Sequence, residues 1–206
     1  MDPYNRKLEK SIGQFDITHN LKLSAVWDLP VGKGKLVNVK GPADWIIGGW
    51  RISGIATYSS GTPNALATTN SLPLFGGGLR PIISTHDGWQ PATKGDHFDP
   101  AVDRTIQAAS FFPAQPANTF GNMTRYNPKF RAFPNYNENF SLAKTFPVRE
   151  RVRLDFRAEM FNAFNRVRFG QGSLTIQSQT FGVLSQTAGD QINSPRQMQL
   201  ALKLYF

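Results

Sequence analysis

The densest array of ionisable groups in this 206-residue chain is Arg153, Asp155, Arg157 and Glu159, four charged residues at alternate positions. A spacing of two places all four side chains on one face of an extended strand. Such a ladder could line the path of a polar substrate, but opposite charges at i and i+2 more often satisfy each other in a wet interior, and the structural role is the expectation. A second group, His86, Asp87, Asp96, His97 and Asp99, has the ligand types of a hard or mixed metal site. No helix or strand pattern fixes its spacing, so ordinary loop polarity is expected there. The run Gly76 to Gly78 lacks the Lys-Ser/Thr and the following helix of a phosphate loop and reads as loop flexibility. No serine, aspartate and histidine stand in a nucleophile-elbow setting, and no carboxylate pair falls on a predicted pocket wall. Neither enzymatic activity, nor a cofactor, nor a metal site is expected.

The elements that would carry these residues are strands. Glycine, proline, asparagine, serine and threonine are abundant and phenylalanine occurs 16 times, while leucine and alanine are too few for a helical bundle. The charge of +9 and a pI near 10.0 raise nucleic acid or an anionic surface as partners. The basic residues are scattered, however, and the cluster Arg149, Arg151, Arg153 and Arg157 is interleaved with Glu150, Asp155 and Glu159. Without cysteine, a disulfide framework, a zinc ribbon and a thiol nucleophile are all excluded. No stretch approaches the roughly eighteen apolar residues of a membrane helix, and the start, Met1 to Lys7, has no apolar signal-peptide core.

Period two recurs in five runs, predicting strands near 14–29, 45–60, 136–146, 151–164 and 196–206. In the first, Ile17, Leu21, Leu23, Ala25, Trp27 and Leu29 alternate with polar residues, broken only by His19 and Val26. In the second, Trp50, Ile52, Ala56 and Tyr58 oppose Arg51, Ser53 and Thr57. Tyr136, Phe140, Leu142 and Phe146 share a parity in the third. The fourth is the clearest, with Val152, Leu154, Phe156, Ala158 and Met160 opposite the charged ladder. The last sets Met198, Leu200, Leu202, Leu204 and Phe206 against Gln197, Gln199, Ala201, Lys203 and Tyr205. Between Ser59 and Asn135 no period is sustained, and a loop of that length argues against a compact soluble domain. TIQSQTFGVL, before the last strand, reads as a short extended excursion.

A wall in lipid alternates apolar-out with polar-in over about 9–11 residues per strand. A soluble sandwich would alternate too, so the connections decide. If Phe206 ends at the periplasmic rim, the turn at 147–150 and the connection at 30–44 fall on the periplasmic side and the long segments 59–135 and 166–195 fall outside, as membrane barrels require. Trp27, Trp50, Phe146 and Phe206 then form a periplasmic girdle, and Tyr58, Tyr136 and Phe164 an outer one. The fold class expected is all-β: an antiparallel up-and-down transmembrane β-barrel fragment of about five C-terminal strands with two long outer loops.

The terminal QLALKLYF resembles the signal by which outer-membrane proteins reach their insertion machinery, with Met198, Leu200, Leu202, Leu204 and Phe206 as its candidate residues. RVRLDFRAEMFNAFNRVRFG, TFGVL and SPRQMQLALKLYF together resemble the C-terminal end of TonB-dependent receptors of the Oar-like type that bear a carboxypeptidase-regulatory-like domain. GWRISGIATYSSGTP and FFPAQPANTFGNMTRYNP fit the same pattern. The resemblance covers Gln14 to Phe206. It implies a bacterial outer-membrane location, a closed barrel of about twenty-two strands around a plug, uptake or transport of a ligand, and partners in outer-membrane lipid and the barrel insertion machinery. Signal peptide, N-terminal sandwich, TonB-contacting segment, plug and most of the wall are absent, so the chain is expected to be a C-terminal segment that does not function alone. The remainder of the barrel and its plug are then missing partners, and TonB is reached only through the missing N-terminal part. The alternative is a soluble β-rich module binding nucleic acid or glycan. Nucleic acid is not expected, because the aromatics lie mainly on the opposite parity from the charges.

Overall fold

The computed structural model describes residues 4–69, 72, 79–84, 99, 102–106, 112–184 and 192–206. Five strands, β1 (Asn20–Asp28), β2 (Trp50–Ser59), β3 (Asn135–Arg149), β4 (Val152–Phe161) and β5 (Gln197–Tyr205), form one antiparallel sheet in the order β1-β2-β3-β4-β5. The chain is all-β, each strand pairing with its neighbour in sequence. Helix among the described residues is confined to a 3-10 turn at Arg6–Glu9 and a single short α-helix, α1 (Pro42–Ile47), neither long nor apolar enough to cross a membrane.

The register explains why period two was so clear. Trp27, Ile52, Leu142, Ala158 and Leu200 stand in one row across all five strands. The adjacent row is Val26, Ser53, Ser141, Glu159 and Gln199, and it projects from the opposite face. Slipping any strand by one residue would turn its apolar set to the polar face, so the pattern itself pins the pairing.

Four strand boundaries depart from the expectation, one of them the end of β4, at Phe161 rather than near 164. β1 begins at Asn20 rather than near 14, because Asp16 is held instead by Arg131, whose Nη2 donates to its carboxylate at 2.6 Å. Residues 42–47, which overlap the start of the second predicted strand, are helical. Pro42 suits the first turn of a helix, and Gly49, at φ 72, marks the sharp exit into β2. β3 runs on through Pro147 to Arg149 with a register shift between the two, which reduces the predicted 147–150 turn to Glu150 and Arg151. The stretch at 175–184 forms isolated bridges, Thr175 to Ala67 and Phe181 to Ser173 among them, and no strand.

The chain divides into two compact units. The sheet unit is His19–Ser59, Asn135–Val167 and Asn193–Phe206; the second gathers Met1–Thr18, Ser60–Pro134 and Arg168–Ile192. The long segments between strands have no sustained period, as expected, but the second unit is packed. Its core is Leu66, Ile83, Ile106, Phe112, Met123, Phe130 and Phe181, the last two 1% and 0% exposed. Phe112 meets Phe181 edge-on at 5.7 Å, and backbone hydrogen bonds join distant segments, Asn64 N–H to Phe130 O at 2.7 Å and Thr105 N–H to Gly182 O at 2.7 Å. Gly61 passes so close to Ala132 that a Cβ there would lie 1.8 Å from its carbonyl oxygen. Such a core has no period, since each apolar residue comes from a different irregular segment. The metal-type residues His86, Asp87, Asp96 and His97 and the run Gly76 to Gly78 lie outside the described residues.

Candidate functional site

The polar face of the sheet carries the charged ladder. Arg157 pairs with Glu159 at 3.2 Å and reaches Ser141 Oγ at 3.4 Å. Asp155 accepts a hydrogen bond from Thr145 Oγ1 at 2.7 Å, and Arg153 stacks on the Tyr205 ring at 4.4 Å, with Lys203 4.6 Å from the same ring. Neighbouring strands therefore satisfy much of the ladder, alongside an Asp28–Arg51 pair at 2.6 Å. A groove of about 400 Å³ runs along this face past Asp28, Arg51, Ser141, Thr145, Asp155 and Arg157. It is a charged surface with hydrogen-bonding capacity.

The opposite face is apolar. β5 places Met198, Leu200, Leu202 and Leu204 opposite Met160, Ala158, Phe156 and Leu154, and these four are 54–68% exposed; Phe206 follows the strand. At one end of this face Trp50 and Phe146 approach at 6.4 Å and Trp50 meets Phe156 at 6.0 Å. At the other, Tyr58 and Tyr136 lie 5.8 Å apart and Phe164 meets Phe140 edge-on at 5.9 Å. From Tyr136 to Phe146 are ten strand steps, about 34 Å at 3.4 Å each. With a strand tilt of 35–45°, the aromatic rims stand about 24–28 Å apart in height, which fits an apolar band of about 25 Å.

Two charged residues of β3 share this apolar parity, and the period-two reading passed over both. Glu138 is 1% exposed and Lys144 5%. Arg166 folds back over Glu138, donating from Nε to its two carboxylate oxygens at 3.1 and 3.2 Å, with the guanidinium 5.7 Å from the Phe164 ring and 5.8 Å from that of Tyr136. The carboxylate holds the Arg166 pKa above its usual value. Lys144 donates to the carbonyls of Ile46 and Gly48 at the C-terminal end of α1, where the helix dipole is negative, and lies over the rings of Phe146 at 4.8 Å and Trp50 at 5.3 Å. Each buried charge is thus matched by a group from a connecting segment, as the burial of a charge demands. A charge at an even position of an otherwise apolar strand was the signal available in the sequence.

The Asn-Ala-Phe-Asn run explains how Arg166 is aimed. Asn162 and Asn165 both adopt left-handed backbone conformations, φ 49 and 51, which end β4 in a tight reversal. Asn162 is buried: its side chain donates to Arg166 O at 2.8 Å and Ser194 O at 3.0 Å and accepts from Arg166 N–H at 2.8 Å. Asn165 Oδ1 accepts from Arg196 N–H at 3.0 Å. These bonds tie the exit of β4 to the entry of β5 and turn Phe164 and Arg166 back onto the apolar face.

A family model described as an outer membrane beta barrel domain matches residues 1–199. No curated protein and no solved structure matches the chain. The chain belongs to the outer-membrane β-barrel family, and its location is the bacterial outer membrane.

Proposed function

We propose that this outer-membrane β-barrel chain is a C-terminal wall segment of a TonB-dependent receptor that takes up or transports a ligand across the outer membrane. The observation that carries the reading is an asymmetry of connections. β2–β3 and β4–β5 are joined at one end of the sheet by long segments, which belong to a unit with its own aromatic core. At the other end the links are the Glu150–Arg151 turn and the 29–49 connection carrying α1. Short periplasmic turns and longer outer connections are general to outer-membrane barrels; a packed core within the long connections adds a surface on which a ligand can be collected. The motifs that resemble Oar-like receptors support the same reading, since RAEMFNAFNR is the segment that closes β4 over Glu138.

In this reading the polar face with Arg153, Asp155, Arg157 and Glu159 lines the lumen, and the apolar face meets lipid. Among the described residues, β1 and β5 each have one side without a partner strand. Lipid does not tolerate open edges, so further strands complete the wall. Energy from the inner membrane would act on a plug through TonB, and β5 with Phe206 would be read by the insertion machinery. The reading assigns no catalytic role. A soluble module binding nucleic acid or glycan gains no support, since Trp27, Trp50, Phe146 and Phe156 lie across the sheet from the arginines of the ladder.

The test is formaldehyde cross-linking in energised cells, followed by blotting of outer-membrane fractions with an antibody against residues 192–206. A band several times larger than 22.9 kDa that shifts on cross-linking to TonB is the expected result. An outer-membrane band that never acquires TonB would refute the receptor reading.

A further inference from the structure

The β1–β2 connection is more ordered than a turn needs to be. Residues 30–49 close into a knot: Gly32 N–H bonds Val37 O at 3.0 Å, Val37 N–H bonds Pro30 O at 2.8 Å and Gly49 N–H bonds Val31 O at 3.2 Å. Asp44 sits at its centre. Its Oδ1 accepts the Lys33 N–H at 2.8 Å, and Gly32 and Gly48 press against it so closely that a Cβ on Gly48 would lie 2.2 Å from that oxygen. The knot's single acid is committed inward, while Lys33, Lys35 and Lys40 are exposed.

The knot packs on the apolar face of the sheet. Trp45 meets Phe146 at 5.0 Å, the Trp50 indole N–H donates to Ile46 O at 3.0 Å, and Lys144 bonds the end of α1 from the lipid-facing parity. Yet its own apolar residues stay uncovered: Leu36 is 88% exposed, Ile46 61% and Trp45 53%. A groove of about 350 Å³ between α1 and the end of β3 is lined by Gly41, Asp44, Trp45, Gly49, Lys144 and Pro147. Exposed apolar side chains, three lysines and a groove at the aromatic rim of a lipid-facing wall share one chemistry, that of a phospholipid headgroup region.

We propose that the 30–49 knot is a phospholipid site in the inner leaflet of the outer membrane. Trp45, Ile46 and Leu36 enter the acyl boundary, and Lys33, Lys35 and Lys40 take the phosphates of anionic lipid. The leaflet follows from the barrel orientation given under Proposed function, and the inference rests on that reading.

The complete barrel that contains this chain, purified in detergent, is titrated with phosphatidylglycerol and separately with phosphatidylethanolamine, and bound lipid is counted by native mass spectrometry. Each lysine near an anionic surface contributes about fivefold to binding, so three contribute on the order of 100-fold. Lys33→Gln/Lys35→Gln/Lys40→Gln is expected to weaken phosphatidylglycerol retention by at least about tenfold, while Lys203→Gln leaves it unchanged. Trp45→Ser/Ile46→Ser should weaken both lipids. Heat-modifiable migration confirms that each variant folds. Equal phosphatidylglycerol retention by the triple variant and the unaltered chain overturns the proposal. Sidedness is read independently with Lys35→Cys and a membrane-impermeant maleimide. Labelling only after the outer membrane is permeabilised supports the leaflet, whereas labelling in intact cells overturns both the leaflet and the barrel orientation.

Discussion

Leu142 offers the sharpest perturbation of the lipid-facing assignment. It lies six residues from Tyr136 and four from Phe146 along β3, between Ile52 and Ala158 on the neighbouring strands. At about 3.4 Å per step and a tilt near 40°, it stands about 16 Å from one aromatic rim and about 10 Å from the other, close to the middle of the band. An arginine facing lipid at that depth costs about 2–4 kcal/mol, a factor of about 30 to 800 in the folding equilibrium. Ser141 is the adjacent residue on the opposite face, paired with Ser53 and Glu159. Ser141→Arg puts the same side chain beside a carboxylate in a wet environment and should cost less than about 1 kcal/mol. The assay is urea titration, in phosphatidylcholine vesicles, of the complete barrel that contains this chain, scored by heat-modifiable migration. Equal losses for the two variants, or a greater loss for Ser141→Arg, would refute the assignment of faces.

Three further outcomes follow from the same structure. Phe130→Ala opens the core of the second unit, where large-to-small aromatic changes cost about 3–5 kcal/mol; protease added to intact cells should then cut within 112–134 while the sheet stays protected, and unchanged resistance would contradict a packed core. Arg131 holds the Asp16 carboxyl below its ordinary value through a hydrogen bond, so the stabilisation is present at neutral pH and is lost as pH falls below the usual carboxylate range toward the lowered folded value; hydrogen exchange around residues 128–132 should accelerate there, and Asp16→Asn should flatten that dependence. Asn162→Gly keeps the left-handed backbone but removes three side-chain hydrogen bonds, so a loss of about 1–3 kcal/mol in the same urea titration is expected, and a loss near zero would mean that only the backbone conformation matters.

Period two was legible because one face of the sheet is apolar and the other charged, and β4 shows it without a break: Leu154, Phe156, Ala158 and Met160 against Arg153, Asp155, Arg157 and Glu159. The strand ends were less legible, because they depend on particular backbone conformations, such as those of Gly49 and Asn162, and not on a period. Glu138 and Lys144 escaped notice for a related reason. Their partners lie 28 residues away at Arg166 and 98 away at Ile46, so the sequence shows two misplaced charges without showing what neutralises them. α1 was hidden by its brevity, since six residues between glycines give too little periodicity to register. The core of the second unit escaped entirely, because Leu66, Met123, Phe130 and Phe181 converge from segments that no spacing rule connects.

The central claim is that one face of this sheet meets lipid and the other a polar interior. Nitroxide labels placed singly from Arg153 to Met160 in the complete barrel that contains this chain, reconstituted in bilayers, test it most directly. The account predicts that accessibility to oxygen, which concentrates in lipid, peaks at 154, 156, 158 and 160. Accessibility to a water-soluble nickel chelate should peak at 153, 155, 157 and 159. Accessibility without a two-residue period, or with the parities reversed, would contradict it.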